Sequence, residues 1–395
     1  MGVPLTASAA SGSTRAGRFP RNEIISLLDN YPTHNLGEST SQDLTFGDVL
    51  DLIGIDAIRD LRLGYGTAAG HAGLRAKVAE LTGMRADQVI TTQGVALGLY
   101  LLAVEHFRAG DEVLIVTPMF PPTRDAMIGS GVTVNTVPLD FDDGYRIDAD
   151  VIAAALTPAT TLVCLASPHN PSGVRARPEE IVAVLARMAR VCPDALLLVD
   201  EIYRDATHGD EVIPPSFANS DRRIITTGSI SKAHGAPGLR CGWLTVHDPD
   251  LRDRLIVAKM NIVLSGSVLD EAIAAAILDA RNDVLRPRRE LLAHAVKIVE
   301  QWRQSETYRV DWVRPEGGAM CCIRLRPDTF DDAAVQRFWT ALPELDLQLG
   351  AGQWFGESAR VARLGFGYLP LDRLPAALHQ LSRALDLAER THGRS

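Results

Sequence analysis

Short apolar runs alternate with helical patterns through the middle of the chain. Runs at 88–92, 112–117, 132–137, 160–166, 195–199, 223–228 and 241–246 are rich in Val, Ile and Leu and read as strands. Periodic segments at 71–82, 95–108, 120–130, 148–156, 178–191 and 249–260 read as helices between them. A strand that is apolar at almost every position is buried on both faces, as when helices cover both sides of a parallel sheet. The pattern therefore predicts an α/β fold with a mostly parallel sheet in a large domain. Ser267 is placed to cap a further long helix, SVLDEAIAAAILDARNDVL, which Pro287 is expected to kink or interrupt.

Beyond residue 290 the pattern changes. Strand-like runs in DWVRP, AMCCIRL, LDLQLG and RVARLGF mix with helices at 332–340 and 371–390, which predicts a smaller α+β domain. The expected division is a disordered leader at 1–20, an N-terminal segment at 21–55 joining the small domain, a large domain at 56–285, and a small C-terminal domain at 286–395.

Composition narrows the function classes. The 395 residues are 46% hydrophobic and 23% charged, as in soluble globular proteins. A net charge of −9 argues against general affinity for nucleic acid or an anionic membrane. No apolar run approaches the ~18 residues that span a bilayer, and the leader lacks the apolar core of a signal peptide. The five cysteines follow no metal-ligand spacing and suggest no disulfide framework, which fits a reducing cytoplasm. Cys321 and Cys322 are adjacent, so in a strand they point to opposite faces.

The chemistry concentrates in GSISKAHGAPGLRCGW, residues 228–243. The chain has only four lysines (Lys77, Lys232, Lys259 and Lys297), and Lys232 sits here among small hydroxylated residues, eight positions before Arg240. An amine that condenses with an aldehyde needs room, a neutral fraction and nearby anion-binding groups. Ser229, Ser231 and Arg240 suit a phosphate, so pyridoxal 5′-phosphate (PLP) is the cofactor that fits. Two apolar runs upstream end in Asn170 and in Asp200 and Tyr203. Ligands sit beyond the carboxyl ends of parallel strands, which brings these residues toward Lys232 at one sheet edge. Gly94, Val95 and Ala96 open a helix after another strand, and their N–H groups form a ready anion site. Each residue also has an ordinary local reading: Asp200 as a strand-end cap, Tyr203 as a packing aromatic, Asn170 as a turn residue before proline.

The ordered set PHNPSG, DEIY and SISKAHGAPGLRCGW resembles the class I/II aminotransferases, PLP enzymes of fold type I, from about Tyr65 to Tyr368. The resemblance implies an amino-acid aminotransferase working through a Lys232 aldimine between an L-amino acid and a 2-oxo acid. It implies that Lys232 shuttles the α-proton, that Asp200 holds the ring nitrogen protonated, and that Tyr203 and Asn170 bond the ring oxygen. Phe120 takes the place of the aromatic stacked on the ring. The phosphate falls to Gly94, Val95, Ala96, Ser229 and Arg240, with Tyr65 reaching it from the second subunit of a homodimer with shared sites. Arg363, in RVARLGFGY, takes the place of the arginine that clamps the substrate α-carboxylate, with Arg360 its nearby competitor. Gly37 is expected to offer its N–H to the same carboxylate, and Glu38 and Ser39 face either the substrate or solvent.

Two features depart from the family pattern. Ala351-Gly352 stands where Pro-Gly is common, and the loop NLGESTSQDLTFGDV is not the form seen in broad aminotransferases. That loop, PHNPSG and LQLGAGQWFG have a weaker likeness to capreomycidine synthase-type enzymes. An alternative outcome on the same scaffold is therefore elimination, replacement, cyclisation or oxidation of an arginine-type amino acid.

Overall fold

The structure is a computed structural model that describes residues 17–389, so most of the expected leader lies outside the described residues. The N-terminal segment contributes the short β1 (His34–Asn35). The central region supplies β2 (Val89–Gln93), β3 (Glu112–Thr117), β4 (Thr133–Pro138), β5 (Thr160–Ala166), β6 (Leu196–Asp200), β7 (Ile224–Ser229) and β8 (Cys241–Thr245). The later region supplies β9 (Val310–Val313), β10 (Met320–Leu325), β11 (Leu347–Gln348), β12 (Gly350–Ala351) and β13 (Val361–Gly365). Each strand predicted in the central region lies within one residue of an observed one.

Strands β2 to β8 form one seven-stranded sheet in the order β2-β8-β7-β6-β5-β3-β4. Neighbours pair in parallel except β8, which runs antiparallel to both β2 and β7. This is the α/β architecture with a mostly parallel sheet that the sequence predicts. The apolar runs arise because alternate residues serve two layers. Leu114, Val116, Val163, Leu165, Leu197 and Val199 pack with Ile181, Val184 and Met188 of helix Pro178–Val191 on one face. Val113, Ile115, Leu162, Cys164 and Leu198 pack on the other face with helices Gly94–His106 and Pro249–Val263. Each such Leu or Val contributes about 1.5–3 kcal/mol by leaving water.

The smaller sheet is antiparallel, in the order β12-β13-β10-β9. Cys321 packs into the core beneath helices Asp332–Glu344 and Leu374–Glu389, whereas Cys322 faces the core of the large sheet. The N-terminal segment returns here: β1 pairs in parallel with β11, and the Gly365 N–H donates to the Leu36 carbonyl at 2.8 Å. Helix Phe46–Ile53, absent from the sequence pattern, starts at a capping box between Thr45 and Asp48 and packs Val49 against the large-domain residues Leu74 and Ile273.

One expectation is corrected. Ser267 does cap helix Val268–Asp279, but Pro287 lies inside helix Arg281–Ser305 without ending it. The chain bends at Ala280, where Arg281 turns to pair with Asp205 through both Nε (2.9 Å) and Nη2 (2.8 Å).

Gly365 decides how closely the N-terminal segment can lie on β13. A Cβ there would overlap the Glu38 carbonyl, a backbone atom that cannot rotate away. Gly365→Ala is expected to lower unfolding stability by about 1–3 kcal/mol, read from the urea midpoint; an unchanged midpoint would contradict this packing.

Candidate active site

Every strand of the large sheet except β8 points its carboxyl end to the same edge, and the loops leaving that edge carry the predicted chemistry. There a cleft of about 400 Å³ is lined by Gly94, Val95, Ala96, Phe120, Ser229, Lys232 and Arg240. Its other wall comes from the N-terminal segment, including Asn35, Glu38 and Asp43, and from Tyr368.

The phosphate end is built by close backbone approach. Gly94 has φ +72° and begins helix Gly94–His106, and a Cβ on it would overlap the Arg240 guanidinium. Gly242 lets β8 pass beneath: a Cβ there would stand 2.8 Å from the Val95 nitrogen. Arg240 itself is left-handed, with φ 51°, a costly conformation for a non-glycine residue. It turns its side chain back, with Nη1 donating to the Pro237 carbonyl at 2.8 Å. Ser229 Oγ accepts from the Ser231 N–H at 2.7 Å, which bends the chain toward Lys232.

A hydrogen-bonded chain runs from Ser39 through Tyr203 and Asn170 to Arg363, with Lys232 near it. Lys232 Nζ lies 5.9 Å from the centre of the Tyr203 ring. The Tyr203 hydroxyl bonds Ser39 Oγ at 2.8 Å and accepts from Asn170 Nδ2 at 3.4 Å. Asn170 Oδ1 in turn accepts from Arg363 Nη1 at 3.0 Å, and Arg363 Nη2 donates to the Gly37 carbonyl at 2.7 Å. Arg363 is only 2% exposed, and its Nε has no partner among the described residues. Burial draws its pKa down, opposed by Tyr203, Glu38 and Cys322. Its guanidinium lies 4.8 Å from the centre of the Phe355 ring. Arg360, the competitor, instead bonds the Phe330 carbonyl and Asp332.

Asp200 ends β6 almost fully buried. Its Oδ1 accepts from Thr227 Oγ1 at 2.6 Å and from the Ile202 N–H at 3.1 Å. Burial raises its pKa, while these two bonds and the Lys232 charge pull it down. Oδ2 takes no bond from the described residues. Such a carboxylate is held in place with one oxygen free for a cationic N–H.

Two predicted residues behave differently. The Gly37 N–H, expected to be free for a carboxylate, donates to Asn35 Oδ1 at 3.0 Å, so the carbonyl of Gly37 is what meets Arg363. Tyr65 is 89% exposed and lies on a separate hollow with Leu63, Ser265 and Val268, outside this chain's cleft.

Sequence reasoning missed His169, inside PHNPSG. Its Nε2 lies 2.7 Å from the Pro118 carbonyl, which can only accept, so Nε2 carries the proton. Nδ1 then accepts from Ser172 Oγ at 2.7 Å. The ring ties the loop bearing Phe120 to the loop bearing Asn170. It also missed a buried brace behind the phosphate end, where Lys259 Nζ donates to Thr91 Oγ1 at 3.3 Å and Thr91 Oγ1 donates to Glu271 at 2.6 Å. Nothing in the helical periodicity around Lys259 marked it as buried.

The pattern that defines the family "Aminotransferase class I and II" matches residues 35–362. The chain belongs to this family. It is 30% identical over 365 residues to a capreomycidine synthase of Streptomyces vinaceus, covering 91% of this chain and 90% of that one. It is 28% identical to an arginine–pyruvate transaminase of Pseudomonas aeruginosa, covering 77% and 78%. Among solved structures, a PLP-dependent cyclase, OrfR, superposes with a TM-score of 0.83 at 26% identity, covering 96% of this chain and all of that one. A PLP-dependent aminotransferase from Streptococcus suis superposes with a TM-score of 0.84 at 22% identity, covering 95% and 100%, which shows the shared fold.

The cofactor of this class I/II enzyme is pyridoxal 5′-phosphate, and the residues present fit it. The Gly94–Arg240 cradle has no room for a larger residue at 94, Lys232 opens on the cleft, and Asp200 keeps an uncommitted oxygen. Among the described residues no cluster of side chains suits a metal ion, and no helix is long and apolar enough to cross a membrane.

Burial lowers the His169 pKa to about 4 against the Pro118 bond, and the His234 pKa to about 4 against Asp205. Both are neutral in the folded protein above that pH, whereas the unfolded chain takes up protons near the ordinary 6.5. Their contribution is thus intact above pH 6.5 and lost as pH falls toward 4, by about 3 kcal/mol each. Urea midpoints from pH 8 to pH 4 should fall over that window, and His169→Gln should flatten the slope; a slope unchanged in the variant would contradict it.

Proposed function

We propose that the protein is an amino-acid aminotransferase that moves an amino group between an L-amino acid and a 2-oxo acid. What supports the reading is the cleft that joins Lys232 to the Gly94–Arg240 phosphate cradle, with the hydrogen-bonded chain Tyr203–Asn170–Arg363 passing behind it near Lys232. PLP bound there supplies an electron sink for the bond cleaved at the substrate's α-carbon.

The chain's own residues do the rest. Arg363 holds the substrate α-carboxylate in a two-pronged pair, which fixes the orientation of the α-carbon. Lys232 Nζ would anchor the cofactor and would carry the proton at the substrate's α-carbon. Asp200, with Oδ2 free of partners among the described residues, would hold a proton on the ring nitrogen, and its burial would strengthen that charge pair. Tyr203 and Asn170 would hold the ring oxygen, Phe120 would offer its face to the ring, and Gly94, Val95, Ala96, Ser229 and Arg240 would hold the phosphate. We further propose a homodimer in which Tyr65, exposed on its own chain, completes the phosphate site of the partner. The large domain is taken as 56–285, with 21–55 and 286–395 forming the small one. Five free buried cysteines fit a cytoplasmic enzyme.

A second reading, cyclisation or another outcome on an arginine-type amino acid, draws support from the likeness to capreomycidine synthase and the OrfR cyclase. The two readings share the steps assigned above.

Lys232→Ala should abolish both the yellow colour of the PLP-loaded protein and all amino transfer; a variant that keeps both would refute the assignment. Arg363→Lys should raise the KM for amino acids by about tenfold or more through loss of the two-pronged geometry. An unchanged KM would point to another clamp. Pyridoxamine phosphate formed together with a 2-oxo acid supports transfer, whereas a cyclic product or ammonia without it supports the second reading.

A further inference from the structure

The proposed reaction leaves two acidic side chains of the cleft without work. Glu38 and Asp43 both line it, and neither carboxylate takes a hydrogen bond or ion pair from the described residues. Glu38 follows Gly37, whose carbonyl accepts from Arg363, so an acid directly adjoins the clamp for the α-carboxylate. Asp43 stands at the exposed mouth. Partial burial of its carboxyl and the Glu38 charge raise its pKa, with Arg288 and Lys232 opposing. Arg288, whose Nη1 donates to the Gln42 carbonyl, keeps its charge and offsets part of that of Asp43. Tyr31 and Tyr368 share the same wall, offering aromatic faces to a cation.

Two neighbouring carboxylates repel each other, and a cation between them relieves the repulsion. Glu38 thus adjoins the buried Arg363, and Asp43 continues the acidic wall toward the mouth of the cleft. A basic amino acid carries the matching order: carboxylate, amine, aliphatic spacer, cation. A dicarboxylic substrate would set its second carboxylate against Glu38 and Asp43, an unfavourable juxtaposition.

We infer that Glu38 and Asp43 form the side-chain subsite of the cleft and select an amino acid with a cationic, guanidinium-type side chain. The inference rests on the aminotransferase reading for the α-carbon end of the site.

The test measures binding apart from turnover. Calorimetry on the PLP-loaded protein compares 5-guanidinopentanoate, which lacks the reacting amine, with its neutral counterpart 5-ureidopentanoate. The guanidino acid is expected to bind about tenfold or more tightly, the scale of a lost charge-assisted bond. Glu38→Gln and Asp43→Asn should each erase most of that difference while changing ureidopentanoate affinity less than about twofold. In turnover, arginine should be preferred to citrulline by a similar factor, and the preference should collapse in both variants. Equal binding of the two acids by the unmodified protein, or a preference that survives both substitutions, overturns the subsite. If alanine or glutamate still yields pyridoxamine phosphate in that case, the aminotransferase reading stands. A protein that takes up no PLP overturns both.

Discussion

A sheet buried on both faces has only its strand ends left for chemistry, and the rest of the molecule follows from that constraint. Helices seal the alternating apolar residues of β3, β5 and β6, so polar side chains can gather only where those strands stop. Asp200 sits at such an end, and Asn170, Phe120, Lys232 and the Gly94 turn lie on loops that leave the same edge. The smaller sheet then closes the space from across, delivering Arg363 on β13.

Placing charge at a sealed edge is costly, and the site meets that cost with hydrogen bonds aimed at particular atoms. Thr227 and the Ile202 N–H hold one oxygen of Asp200; Asn170 and the Gly37 carbonyl hold two nitrogens of Arg363. In each case an atom remains without a protein partner. A buried charge held in position yet incompletely paired favours a ligand of opposite sign, because binding relieves the desolvation it already bears. Structural ion pairs elsewhere look different: Asp205 is gripped by both prongs of Arg281 and has no such vacancy.

Much of this was legible in the sequence. The strands were, because burial on two faces leaves unbroken apolar runs. Lys232, Asp200 and Asn170 were, because strand-end motifs keep chemistry and backbone together. What was not legible depends on distant contacts. The bend at Ala280 comes from Arg281 reaching Asp205, 76 positions away. His169 carried no signal beyond its place in a motif, since its meaning lies in the Pro118 carbonyl on another loop. The Gly37 N–H was misjudged because Asn35, two residues earlier, claims it. Local pattern reports which face is buried; it does not report which partner crosses the fold to meet it.

The brace behind the phosphate end also bears on chemical selectivity. An aldehyde will react with any accessible primary amine, and this chain carries few. Lys259 is 0% exposed, sealed behind Thr91 and Glu271, and Lys77 on the outer surface pairs with Asp279 and Glu80. Lys232 is the one lysine among the residues lining the cleft, so a carbonyl group held there meets that nitrogen by position, whatever the reactivity of amines elsewhere.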